Sequence, residues 1–103
     1  GKYVSPDDLT FAAAAASADW FSVPGMGVSM VNAKGAESWP VSTASFILMY
    51  KQPADKAASA EALKFFDWAF KSGKQMASDL DYVALPDTLT AQIRSKVWSQ
   101  IAK

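Results

Sequence analysis

Apolar and polar positions follow three different rhythms along this chain, and each rhythm names a different element. The clearest lies between Pro53 and Ser72, where Leu63, Phe66 and Phe70 recur at i, i+3 and i+7 and Ala62, Phe65 and Ala69 widen the stripe. That spacing predicts a helix within 53–72 with one broad apolar face turned inward. Trp68 is read as part of the same packing rather than as a sugar platform. Gly73 stands where a glycine ends a helix, and Lys71 and Lys74 lie near the negative end of its dipole, which explains their charge structurally. After a short helical turn expected over 76–80, Leu85-Pro86-Asp87 starts a last helix with Pro in its first turn. Leu89, Ile93, Val97 and Ile101 then recur every four residues as a packing stripe, with Arg94 and Lys96 off it and expected to face water.

The first half is less regular. Ser5-Pro6-Asp7-Asp8 reads as a helix start with Ser5 as the cap, and five alanines at 12–16 continue it. Pro24 and the glycines at 25 and 27 break that helix, and a short strand is predicted over 28–31. Gly25-x-Gly27 is too short a spacing for a nucleotide fingerprint, and no helix follows directly behind it. A turn over 32–35 leads to Trp39-Pro40, which holds the chain extended. Residues 46–50, Phe-Ile-Leu-Met-Tyr, form an unbroken apolar run. A strand apolar on both faces is usually central in a sheet, so this one asks for neighbours on both edges. With 28–31 the only other candidate, the expectation is that the rest of the sheet lies in sequence not present here, or that the strand pairs with another chain.

Composition narrows the chemistry. At 103 residues the chain makes one domain at most, and 50% hydrophobic content with 19% charge is too apolar for disorder. No apolar stretch reaches the length of a spanning helix. Ten basic and ten acidic side chains cancel, which removes the positive field that nucleic acid needs. There is no Cys and no His, so the common zinc ligands, the usual catalytic base and the thiol nucleophile are missing. Asp79, Asp81 and Tyr82 are the only material for acid–base work, and they read as solvated loop groups. No catalytic residue, metal site or cofactor is expected. The opening Gly1-Lys2-Tyr3-Val4 lacks an initiator Met and an apolar leader, so any targeting peptide is expected to have been removed or to lie outside this piece.

Three segments carry a resemblance. Trp39-Pro40-Val41-Ser42-Thr43-Ala44-Ser45-Phe46-Ile47-Leu48, then Ala62-Leu63-Lys64-Phe65-Phe66-Asp67-Trp68-Ala69-Phe70-Lys71-Ser72-Gly73, then Asp79-Leu80-Asp81-Tyr82-Val83-Ala84-Leu85-Pro86, in that order, resemble the C-terminal third of the periplasmic phosphate-binding proteins of Pst-type ABC importers. The resemblance runs over nearly the whole chain. It implies an α/β architecture: a fragment of a two-lobed type II periplasmic-binding-protein fold, helix-rich here with one central apolar strand. Residues 1–38 would end the second lobe, 39–45 would form the hinge or crossover, and 46–103 would return to the first lobe. Trp39, Pro40, Val41 and Ser42 are the hinge residues it points to.

The function it implies is reception of inorganic phosphate in the periplasm and delivery to an ABC permease, with this segment supplying scaffold and hinge and catalysing nothing. The partners would be phosphate, bound through the missing part of the receptor, the remainder of the receptor chain and the permease, with no nucleic acid and no membrane span. In that family the phosphate ligands are backbone amides, Ser and Thr hydroxyls at helix N-termini, an Arg and an Asp, all upstream of the matching region. No phosphate ligand is therefore expected in this segment, and Ser42 and Thr43, the hydroxyls nearest the hinge, are given no contact. The alternative is a structural piece that completes a sheet with a partner chain and binds no ligand itself.

Overall fold

Asp7, not Ser5, starts the first helix. In the computed structural model, which describes residues 1–103, the Asp7 carboxylate accepts from the Thr10 backbone N–H at 3.0 Å and the Thr10 hydroxyl accepts from the Asp7 N–H at 3.1 Å. This reciprocal box satisfies two donors that a helix N-terminus otherwise leaves unpaired. The Thr10 hydroxyl gives its own proton to the Ser5 carbonyl at 2.5 Å, so Ser5 contributes its backbone and not its side chain. The expected Ser5 cap is corrected accordingly.

The chain divides into two units, Gly1–Ser45 and Phe46–Lys103. In the first unit α1 spans Asp8–Ser17 and buries Thr10, Ala14 and Ala15. The Trp20 indole N–H donates to the Ala15 carbonyl at 2.7 Å, closing one of the orphan carbonyls of the last turn. A single 3₁₀ turn, Pro24–Met26, follows. Residues 28–31 are not a strand. They run as loop, with Met30 buried, into Asn32, whose N–H bonds to the Pro40 carbonyl at 2.8 Å. Asn32 itself has a positive φ of 54°, a conformation Asn tolerates better than most residues.

The second unit is helical. α2 spans Lys56–Ser72 and is capped by Asp55, whose carboxylate accepts from the Ala58 N–H at 2.9 Å. It begins three residues beyond Pro53, because the helix needs a side-chain acceptor at its start and Asp55 supplies one. Leu63, Phe66 and Phe70 are half-buried as the periodicity predicts. Phe65 and Trp68 are not: they are 60% and 46% exposed and stack on each other at 6.0 Å. The apolar arc is therefore narrower than the stripe suggested, and the assignment of Phe65 and Trp68 to the inward face is corrected. Gly73 ends α2, its N–H bonding to the Ala69 carbonyl at 2.9 Å, and at once caps α3, Lys74–Asp79. A Cβ on Gly73 would lie 2.7 Å from the Ala69 carbonyl oxygen, so the tight junction admits only glycine.

α4 spans Asp87–Gln92 and does not continue as one α-helix. It opens into a π turn, Ile93–Val97, and then tightens into a 3₁₀ turn, Trp98–Gln100. Leu89 and Ile101, the ends of the four-residue stripe, are buried, while Ile93 and Val97 between them are half-buried. Trp98 stacks nearly parallel on Phe70, 5.5 Å between ring centres and 2° between planes. The Ala102 N–H bonds to the Lys51 carbonyl at 2.8 Å, tying the two ends of this unit together.

No strand forms anywhere in the structure. Residues 46–50 are neither helix nor strand, which corrects the expectation of one central apolar strand in an α/β fold. A strand exists only as part of a hydrogen-bonded ladder, and no other segment of this chain supplies one.

Candidate functional site

The expected hinge residues are held by three backbone-directed bonds in the first unit. The Trp39 N–H donates to the Thr10 carbonyl at 3.0 Å, the Pro40 carbonyl takes the bond from Asn32, and the Ser42 hydroxyl donates to the Trp39 carbonyl at 2.9 Å. Proline has no N–H to offer, so the segment is held through its carbonyls and its neighbours' donors. The Trp39 ring meets Phe11 of α1 edge to face at 6.3 Å. Ser42 is buried, whereas Pro40, Val41 and Thr43 are exposed. Ser42 therefore spends its hydroxyl on the backbone. The unit ends three residues later, at Ser45.

Beside this segment, the Ser38 and Ser17 hydroxyls meet at 3.1 Å and Ser17 also donates to the Ala14 carbonyl at 3.1 Å. Gly35 lies against this pair: a Cβ there would stand 2.5 Å from the Ser38 hydroxyl oxygen. A small residue at 35 is thus a packing requirement of the loop that carries Trp39.

In the second unit the polar chemistry gathers on Asp67. Lys71, one turn on, donates to its Oδ2 at 2.6 Å, and the Arg94 Nε donates to its Oδ1 at 2.6 Å. The Arg94 guanidinium also lies over the Phe70 ring, 5.8 Å from its centre. Arg94 does not simply point to water, and that expectation is corrected. Lys71 and then Arg94 hold the Asp67 carboxyl below its ordinary value. Lys74 pairs with Asp87 in the first turn of α4 and lowers its carboxyl in the same way. Both lysines near the end of α2 therefore have a carboxylate partner as well as the helix dipole. Each of the three cations of this cluster has a carboxylate partner, Lys71 and Arg94 on Asp67 and Lys74 on Asp87.

Asp79, Asp81 and Tyr82 are all exposed. Asp79 accepts from the Gln75 side-chain amide at 2.8 Å, and Asp81 sits at φ 63° in the turn that ends α3, its N–H bonded to the Ser78 carbonyl at 3.0 Å. They shape a helix end and do not converge on a cleft. No group of three or more acidic side chains gathers as a metal site, and no helix is long and apolar enough to cross a membrane.

The Asp67–Arg94 link joins residues 27 apart in the chain. Its sequence signal was confined to Asp67, a carboxylate beside the apolar stripe of α2, with nothing to name its distant partner.

No family model matches the chain. Individual proteins do. The chain is 46% identical over 96 residues to the phosphate-binding protein PstS of Pasteurella multocida, covering 93% of this chain and 28% of that protein. It is 42% identical over 96 residues to the PstS of Haemophilus influenzae, 93% of this chain and 29% of the relative. It is 41% identical over 95 residues to that of Xylella fastidiosa, 92% of this chain and 26% of the relative. The chain thus spans little more than a quarter of the length of the curated relatives it matches. Their shared name is that of a binding protein and not of an enzyme. Over nearly its whole length, this chain is similar to the C-terminal part of the PstS phosphate-binding proteins.

Proposed function

We propose that this chain is part of a periplasmic receptor for inorganic phosphate that hands the anion to an ABC permease, and that it supplies scaffold and one hinge segment while the phosphate ligands lie elsewhere. The observation that carries the reading is the 41–46% identity, over more than nine-tenths of the chain, to proteins named for phosphate binding. The residues present agree with a scaffold role. Binding a dehydrated phosphate takes unpaired donors, at helix N-termini or on Arg and Ser side chains. Here Arg94 is paired through its Nε with Asp67, and the Ser42 and Ser17 hydroxyls donate to the Trp39 and Ala14 carbonyls. In the whole receptor the architecture is the two-lobed α/β fold, with the sheet completed by the rest of the protein.

The hinge belongs at Trp39, Pro40, Val41 and Ser42. It lies just before the junction of the two units, and its backbone is fixed on one side by Thr10 and Asn32. A hinge needs a few residues that absorb a change in φ and ψ next to a part that stays fixed.

Calorimetry on two proteins tests this reading. The 103-residue chain alone is expected to bind no phosphate. The P. multocida protein with its matching region replaced by this chain's residues is expected to bind phosphate and reject sulfate. A folded chimera that binds no phosphate overturns the receptor assignment, and tight phosphate binding by the chain alone overturns the scaffold role. For the hinge, Val41→Pro in the chimera is expected to abolish the phosphate-dependent compaction seen by small-angle scattering. Unchanged compaction removes the hinge from residues 39–42.

A further inference from the structure

The polar groups of Thr10 are committed to two different structures. Its N–H and its hydroxyl make the reciprocal box with Asp7, at 3.0 and 3.1 Å, and the hydroxyl reaches on to the Ser5 carbonyl. Its carbonyl instead takes the Trp39 N–H at 3.0 Å. A carbonyl has two lone pairs, so one can serve the helix ladder while the other holds Trp39. That carbonyl points along the axis of α1 only while residue 10 keeps helical φ and ψ, and residue 10 lies in the first turn, which the box closes. The Trp39 ring adds a second contact to the same turn, edge to face with Phe11 at 6.3 Å. Further along α1 the Ser38 hydroxyl meets that of Ser17 at 3.1 Å. Thr10, Ala14 and Ser17 are spaced i, i+4 and i+7 and share one face of the helix, with Ala14 fully buried between the two attachments. Ser38 and Trp39 thus form a strap tied to α1 at two places.

We propose that Thr10 is a positioning residue for residues 39–42: the cap of α1 and the hold on Trp39 open as one unit, so the first turn of α1 sets how freely the segment after Trp39 moves. Local opening of a helix end is the low-energy motion that makes such a coupling visible. The other hold on this segment, the Asn32 N–H on the Pro40 carbonyl at 2.8 Å, comes from a loop and does not pass through α1. It therefore stays closed when the cap opens. That residues 39–42 act as a hinge rests on the function proposed above, whereas the coupling between Asp7, Thr10 and Trp39 is a property of the unit Gly1–Ser45 itself.

The test is amide hydrogen exchange, read residue by residue by NMR on the 103-residue chain and on the same residues in the P. multocida chimera. Three amides report: Phe11, whose bond to the Asp7 carbonyl at 3.0 Å belongs to the first turn, Trp39 and Asn32. Asp7→Ala is expected to speed Phe11 and Trp39 by one common factor, about fivefold for the loss of an ordinary cap, and to leave Asn32 at its rate. Thr10→Val, which deletes the hydroxyl and keeps the shape, is expected to do the same. The conservative replacements Asp7→Ser and Thr10→Ser are expected to leave all three amides near their original rates. Three results overturn the proposal. The first is Phe11 speeding while Trp39 does not; the second is all three amides speeding equally, which is general loosening; the third is no change at either Phe11 or Trp39. The Val41→Pro scattering experiment judges the hinge separately. Coupled amides with unchanged compaction keep the coupling and remove the hinge, and uncoupled amides with lost compaction do the reverse.

Discussion

Asp67 and Arg94 meet at 2.6 Å across 27 residues of chain, and through that bond α2 is fastened to the π turn that follows α4. Lys71 takes the second oxygen of the same carboxylate, and Phe70, next to it, underlies the guanidinium and stacks on Trp98. One carboxylate thus orders two cations, and one ring meets both a cation and an indole. The two side chains are each about a third exposed, at 29% and 32%, so solvent screens the pair but does not dissolve it. Replacing Asp67 by Asn is expected to lower the thermal midpoint of the chain more than replacing Glu61, whose pairing with Lys64 is local and fully exposed. In a double-mutant cycle, Asp67→Asn and Arg94→Gln are expected to be less damaging together than the sum of the two. Strict additivity would show that the bond contributes nothing.

Acid should act on the same carboxylates. Lys71 and Arg94 hold Asp67, and Lys74 holds Asp87, below the ordinary aspartate value of about 3.9. A carboxyl lowered in the folded state gives stability that is complete above that ordinary value and is lost as the pH falls through the lower, folded one. Denaturant melts repeated from neutral pH downward are expected to show the loss beginning near the ordinary value and continuing below it. Asp67→Asn flattens that slope, and an unchanged slope in the variant would remove Asp67 from it.

The first helix depends on its cap. Asp7→Ala deletes one half of the reciprocal box with Thr10 and is expected to cost about 1 kcal/mol, the ordinary range for a lost cap being roughly 0.5–2 kcal/mol. Asp7→Ser is expected to recover most of it, since a hydroxyl can also accept from Thr10. Ser5→Ala, at the position that sequence pattern favoured, is expected to change stability by less than about 0.5 kcal/mol. Urea melts of the three variants separate these outcomes.

Two glycines can be told apart by what blocks them. At Gly73 an added Cβ meets a backbone oxygen, which cannot step aside, so Gly73→Ala is expected to lower stability with no single-site remedy. At Gly35 the obstacle is the Ser38 hydroxyl, the end of a side chain. Gly35→Ala should therefore be relieved in part by Ser38→Ala, although that change also gives up the bond to Ser17. Melting curves of Gly35→Ala with and without Ser38→Ala decide it, and absence of relief would place the strain elsewhere.

Much of this was legible in the sequence because it is local. The stripe of Leu63, Phe66 and Phe70, the stop at Gly73 and the exposure of Asp79 and Asp81 depend on residues within a turn or two of each other, although Asp79 closes α3 and does not lie in a loop. What escaped depends on distance. Arg94 was read as solvated because nothing near it in the chain names Asp67. The Ser5 cap was chosen on residue type, while Asp7 wins because Thr10, three residues on, can reciprocate. Residues 46–50 carry a strand's composition, yet a strand is a relationship between segments and this chain holds no second one. The similarity to the PstS proteins was carried by motifs that follow one another in order along the chain.

The π turn gives the four-residue spacing of Leu89, Ile93, Val97 and Ile101 a different meaning. In an α-helix each residue advances about 100°, so a step of four overshoots a full turn by roughly 40° and the stripe slides off its face. A stretch with bonds to the fifth residue back winds more slowly and takes up part of that slippage between Ile93 and Val97. Such a stretch is what one surplus residue leaves behind in a helix. Deleting a single residue within 93–97 is accordingly expected to convert the stretch to an ordinary α-helix. A related chain one residue shorter there should carry an ordinary helix and a repeat that alternates between three and four.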